Sequence, residues 1–159
     1  MNKIETPAYS VLSVTDDIEE RLYQAMIVAE VIEHGERKHA LKHGFKKLAN
    51  YIFSNNIAMT APVMQSQTDG AWVISFIMPK KYNLSELPEQ AGIRLVQVSE
   101  QRLFAISFSG MNSDINISKY EQRIRQQLND NSKQAIYAYY NPPWILPFLR
   151  KNEILLASK

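Results

Sequence analysis

The spacing of apolar residues changes along the chain, and the predicted element changes with it. From Ile18 to Ile32 aliphatic residues dominate and no Gly or Pro interrupts them, so the stretch reads as one long strand that Gly35 ends. From Glu36 to Phe53 the period lengthens. Leu41, Phe45, Leu48 and Ile52 recur at spacings of four, three and four, which puts them on one face of a helix. Ile57 to Gln65 reads as a strand carrying Pro62, which predicts an edge position or a bulge. Thr68-Asp69-Gly70 is a turn signal. Beyond it Trp72, Ile74, Phe76 and Met78 alternate with Val73, Ser75 and Ile77 in the period of a strand.

The second half repeats the pattern after a polar connection over residues 80–92, which Pro88 breaks. Ile93 to Val98 and Leu103 to Ser109 are predicted strands joined by a turn at Glu100-Gln101. Asn112, Ser113 and Asp114 offer N-cap side chains for a helix that places Ile117, Tyr120, Ile124 and Leu128 on one face. Ala135 to Tyr140 and Glu153 to Ala157 are the last strands, and Tyr9 to Val14 is a short first one. The order is strand, strand, helix, strand, strand, given twice. It predicts an α+β fold in a single domain over residues 1–159: two pseudo-duplicated β-β-α-β-β units, about residues 6–79 and 93–158. Their antiparallel strands would close into a distorted barrel flanked by two helices.

Composition narrows the function classes. The chain has 159 residues, 45% of them hydrophobic and 21% charged, enough apolar material for a core. It has no cysteine, which excludes disulfides, thiolate metal sites and cysteine nucleophiles. A formal net charge of +2 gives no bulk signal for nucleic acid. The N-terminus lacks the apolar run of a signal peptide, and no stretch approaches the roughly 18 apolar residues of a membrane span. These features predict a soluble, cytoplasmic protein with no membrane partner.

The reactive constellations are poor. Ser107-Phe108-Ser109-Gly110 lacks the flanking glycine of a nucleophile elbow, and with five glycines in the chain no phosphate loop forms. Asp16-Asp17 and Glu19-Glu20 read as solvated charge, and Glu153 as an ion-pair partner. The three histidines, His34, His39 and His43, cluster near the start of the first helix. His39 and His43 are one turn apart and share a side with Glu36, a set that could hold Zn²⁺. That face also carries Lys46, a poor neighbour for a cation, so it reads as solvated. A single imidazole from this face, His39 or His43, is a candidate axial ligand to haem iron, with Ala49 and Phe53 on the flank as part of an apolar plane. Gly44 inside the helix admits two readings: close packing on the sheet, or room for a ligand against the backbone.

Two punctuated apolar motifs stand about eighty residues apart: Met59-Thr60-Ala61-Pro62-Val63, and Asn141-Pro142-Pro143-Trp144 followed by Pro147-Phe148 and Arg150-Lys151-Asn152-Glu153. Proline holds each where a helix cannot continue. Aromatics beside Arg150 and Lys151 suit an apolar ligand that carries carboxylates.

These motifs, with Gly44-Phe45-Lys46-Lys47-Leu48-Ala49-Asn50-Tyr51-Ile52, resemble the SOUL/haem-binding protein family, and the resemblance runs from about Thr6 to Ala157. It implies a barrel-like α+β fold of duplicated units and non-catalytic binding of haem or another tetrapyrrole. The implied groove lies beside the first helix, with Lys42, Phe45, Lys46 and Ala49 from the helix and Trp144, Phe148, Arg150 and Lys151 from the second motif. Some animal members carry a histidine, proposed as an iron ligand, where this chain has Leu22. Axial ligation would then fall to His39 or His43, or the grip would be apolar. Two other classes stay open. One is a gyrase-inhibitor-like small-molecule sensor or hydrolase, with Tyr137, Tyr139 and Glu30 in a cleft. The other is a protein-interaction module built on the second helix.

Overall fold

The computed structural model describes residues 4–131, 134–141 and 149–157. In chain order its elements are β1 (Tyr9–Thr15), β2 (Ile18–Tyr23), β3 (Met26–Glu33), α1 (Arg37–Ser54), β4 (Val63–Thr68), β5 (Ala71–Ile77), β6 (Arg94–Val98), β7 (Gln101–Ser109), α2 (Asp114–Leu128), β8 (Ala135–Tyr139) and β9 (Lys151–Ala157). All the strands join one curled antiparallel sheet in the order β1-β2-β7-β9-β8-β4-β5-β3-β6. The class is α+β, as the pattern predicts.

The order is symmetric about the β8–β4 pair. Moving outward on the two sides one meets β9 and β5, then β7 and β3, then β2 and β6. Strand β2 pairs with β7, and β6 with β3, so the first half sends β1 and β2 to the second, and the second half sends its first strand, β6, to the first. This exchange explains a departure from the sequence pattern. The stretch from Ile18 to Ile32 is two strands, broken at Gln24-Ala25, because β2 must reach β7 while β3 lies between β5 and β6. The two halves therefore share one continuous curled sheet. Pro62 also sits differently from expectation. It is buried just ahead of β4, so β4 keeps its amides and runs at the centre of the sheet, between β8 and β5.

Register divides the sheet into two faces. Ala29, Val31, Val63, Ile74 and Phe76 face α1, and Ile106, Phe108, Tyr139, Ile154 and Leu156 face α2. Leu41 of α1 packs against both groups. The face without helices carries Tyr23, Leu103, Ala105 and Leu155.

Local chemistry sets the helix ends. The Glu36 carboxylate accepts the His39 amide at 2.9 Å and caps α1, so Glu36 is committed to the backbone. Ser113 caps α2 through the Asn116 amide, and Asn129 ends it in the left-handed conformation at φ 52°. Gly44 of α1 lies directly on β5, where a Cβ would stand 2.7 Å from Ile74. The glycine is a packing contact with the sheet.

Candidate functional site

Strand register brings the two proline-punctuated motifs together. Val63, the end of the first, pairs with Tyr139, which leads into the second. Val63 also pairs with Phe76, and the Phe76 ring lies 5.7 Å from that of Phe45 on α1. Tyr139, Val63 and Phe76 thus lie in one row across β8, β4 and β5, and Phe45 and Met59 pack on the same core cluster as Phe76. Trp144 and Phe148 lie outside the described residues.

On α1 the residues of interest fall in two parallel stripes. Phe45, Ala49 and Phe53 recur every four residues, and Lys38, Lys42 and Lys46 run alongside. Phe45 is half-buried, Ala49 is buried, and Phe53 is 65% exposed, a large aromatic left in water next to exposed lysines. At about 100° per residue, His39 lies about 80° around the helix from Ala49, and His43 about 120°. Both imidazoles are exposed and lie against each other, with ring centres 4.3 Å apart and planes tilted by 36°. Among the described residues no group of three His, Asp or Glu side chains is placed to hold a metal. Leu22 lies on β2, with β7, β9, β8 and β4 between it and β5.

The two cations of the second motif differ in placement. Arg150 is half-buried ahead of β9. Lys151 shares register parity with Glu153, on the face away from α1. Its Nζ sits 4.4 Å above the Tyr140 ring and 3.9 Å from the Glu153 carboxylate. The structure thus brings Lys42, Phe45, Lys46 and Ala49 onto one flank and sets Lys151 apart from them.

Two buried polar networks hold the stem of the second motif, and neither has a local signature in the sequence. On the helix-free face Glu153, 1% exposed, accepts from Arg21 through both oxygens at 2.9 and 2.6 Å. The hydroxyls of Ser107 and Tyr140 donate to the same carboxylate at 2.7 and 2.8 Å. Burial pushes the Glu153 pKa up, but the Arg21 guanidinium and these hydroxyls outweigh it and hold the group below its ordinary value. A carboxylate so held is a weak base, which suits a structural ion pair better than acid–base chemistry. Burial pushes Tyr23 up to about 12, although its bond to Arg21 acts the other way.

The second network lies beneath the helices. Arg37 at the start of α1 donates to Asp114 at the start of α2, to the Asn112 carbonyl and to the Tyr139 hydroxyl. Tyr139 donates in turn to Gln65 at 2.8 Å, and Gln65 returns a bond to the Arg37 carbonyl. Tyr137 donates to Glu121 of α2. The three residues that the sensor or hydrolase alternative needs do not meet. Tyr137 and Tyr139 face the helices, whereas Glu30 lies on the opposite face, paired with Arg94.

On α1, laid over the curled antiparallel sheet, an apolar stripe that ends in the exposed Phe53 thus runs beside a row of exposed lysines. The model of the SOUL heme-binding protein family matches residues 4–157, and the chain belongs to that family. No curated protein matches it. Similar solved structures share the fold at 12% identity. One is a hydrolase from Listeria innocua (TM-score 0.58, 92% of this chain and 93% of that one). Another is an uncharacterized conserved protein from Listeria innocua (TM-score 0.60, 88% and 91%). A third is SAV2435 bound to tetraphenylphosphonium (TM-score 0.56, 89% and 93%). Among the described residues no helix is long and apolar enough to cross a membrane.

Proposed function

We propose that this protein binds haem or a related tetrapyrrole without catalysis, on the flank of α1 that carries Phe45, Ala49 and Phe53. The observation that carries this reading is the exposed Phe53, which continues the Phe45–Ala49 stripe beside Lys42 and Lys46. Membership of a haem-binding family supports it. A porphyrin presents a flat apolar face and carboxylates, and the stripe and its lysines match that pair of features. In this reading Lys42, Lys46 and Arg150 meet the carboxylates, while Trp144 and Phe148 cover the ring. Lys151, seated on Tyr140, holds the stem of the motif. His39, nearer the stripe than His43, is the candidate iron ligand.

Titration of the purified protein with haemin and with iron-free protoporphyrin tests the proposal. Both ligands are expected to shift the Soret band saturably and to quench tryptophan. Comparable affinities identify an apolar grip. Tighter haemin binding that His39→Ala abolishes, and His43→Ala does not, identifies ligation. If neither porphyrin gives a saturable change, the proposal is wrong.

A further inference from the structure

Strand β3 runs to Glu33, but its outer neighbour β6 begins only opposite Glu30, at Arg94. The chain ahead of β6 turns away through Gln90–Ile93, where the Ile93 amide bonds the Gln90 carbonyl. Gly92 makes this turn at φ 84°. The Met78 amide donates to the Ile27 carbonyl in register with the β3–β5 pairing. Main-chain groups alternate in direction along an antiparallel strand, so residues 27, 29, 31 and 33 point toward β5 and residues 28, 30 and 32 point outward. The N–H and C=O of Ile32 therefore face outward where β6 has ended, and neither has a strand partner among the described residues. The Ile32 side chain is 50% exposed in a strand that is otherwise mostly covered.

This gap opens into a cleft of about 680 Å³ between β3, the Gln90–Arg94 segment and the Lys47–Asn50 flank of α1. Its far wall is fixed: Leu87 is buried in the core, and the Tyr51 hydroxyl donates to the Pro88 carbonyl at 2.7 Å. Two ion pairs frame the cleft, Glu30–Arg94 and Glu33–Lys47. In both the carboxylate is nearly buried and the basic side chain is more than half exposed. The acids line the cleft and the bases stand at its rim.

We propose that this cleft takes a short extended peptide as an added strand, antiparallel to β3 and in line with β6. An outward N–H and C=O on one residue of a strand edge call for a main-chain partner. The exposed Ile32 calls for an apolar residue opposite it. Glu33 calls for a basic residue at the neighbouring position, since Lys47 can turn into water when displaced. The cleft shares no residue with the Phe45–Ala49–Phe53 stripe, and Lys47 lies about 160° around α1 from Phe45, so this proposal does not rest on tetrapyrrole binding.

Amide spectra of the isotope-labelled full chain, titrated with a blocked tetrapeptide of alternating valine and lysine, test it. Saturable shifts are expected at Ile32, Glu33 and Gln90–Arg94. The same peptide N-methylated at the residue facing Ile32 should bind about tenfold more weakly. A glutamate-for-lysine peptide should also bind more weakly. No saturable shift, or shifts confined to other residues, overturns the proposal. Equal binding of the methylated peptide overturns strand addition and leaves a side-chain pocket for small molecules. Equal binding of the glutamate peptide overturns the charge assignment.

Discussion

Replacing Gly44 by alanine separates two roles for this residue. The new Cβ would stand 2.7 Å from Cβ and Cγ1 of Ile74 and 3.1 Å from Cγ2. Reaching the near limit of ordinary contact, 3.4 Å, requires α1 and β5 to part by about 0.7 Å. The opposing atoms belong to the branch point of a buried isoleucine in a central region of the sheet, not to a flexible tip, so they cannot move aside cheaply. Overpacking of this kind costs about 1–3 kcal/mol. Alanine gives back about 1 kcal/mol in helix propensity. With the contact this close, the steric cost falls in the upper part of its range and the net loss is about 1–2 kcal/mol. For a chain of this size that lowers Tm by roughly 2–8 °C.

Urea unfolding of the wild type, Gly44→Ala, Ile74→Ala and the double variant measures this loss. The cycle should show coupling, because Ile74→Ala removes two of the three close contacts. Haemin titration of folded Gly44→Ala should match the wild type. A variant stabilised by about 1 kcal/mol would mean that helix propensity alone acts there, which refutes the packing argument. Unchanged stability with lost haemin binding would show that the glycine makes room for a ligand.

Three further outcomes follow from the same structure. Phe53→Ser removes an aromatic that is 65% exposed, so stability should move by less than about 0.5 kcal/mol, while porphyrin affinity falls by roughly 1 kcal/mol, about fivefold. Glu153→Gln takes the buried, bidentate counter-charge from Arg21 and leaves it only the partly exposed Glu19, so urea unfolding should report a loss of about 3 kcal/mol, the lower end of the cost of breaking a buried pair. The Glu153 pKa is lower in the folded state than in the unfolded chain, so its contribution is present above about pH 4.5 and is lost as pH falls below that value. Acid titration of Glu153→Gln should accordingly show a flatter decline below pH 4.5 than the wild type. Tyr139→Phe removes the hydroxyl between Arg37 and the fully buried Gln65, and calorimetry should register a loss of about 1–3 kcal/mol.

Much of the fold was legible because burial is periodic. The helix over Glu36 to Phe53 and the strand from Trp72 to Met78 carry their own spacing, and the structure places them within a residue or two. The break at Gln24-Ala25 was not legible. No Gly or Pro marks it, and its cause is the change of partner from β7 to β3's neighbours, a fact of tertiary pairing. Glu153 reads correctly as an ion-pair partner, but the adjacent bases suggest a local pair. The strong bond runs to Arg21, 132 residues away, which only the exchange of β2 brings near. The sequence around Arg37 carries no sign of its role, because its partners lie on α2, β8 and the loop before α2. On α1 the flank position of Ala49 and Phe53 was readable from spacing, and Lys42 and Lys46 came from the family resemblance, whereas the placement of Lys151 depends on strand parity that the sequence leaves unset.

The two networks act on consecutive residues, and this bears on how the second motif is presented. Tyr139 and Tyr140 point to opposite faces of the sheet, as neighbours in a strand must. Tyr139 is tied through Arg37 to both helix starts, and Tyr140 is tied through Glu153 to β2. On the returning side the Lys151 amide donates to the Asn141 side chain at 2.6 Å, and the Tyr140 amide donates to the Lys151 carbonyl at 3.1 Å. The stem is thus clamped from above, from below and across, and every clamp joins one half of the chain to the other or one strand of the stem to its mate. A protein that only needed to fold would not require so many buried polar bonds there, since apolar residues of the same volume stabilise as well. Such bonds fix one arrangement among several that packing alone would allow. What they fix are the two ends of the stem, Tyr140–Asn141 and Lys151, so in the proposed binding the second motif would meet its ligand from a defined base, with less freedom left to lose.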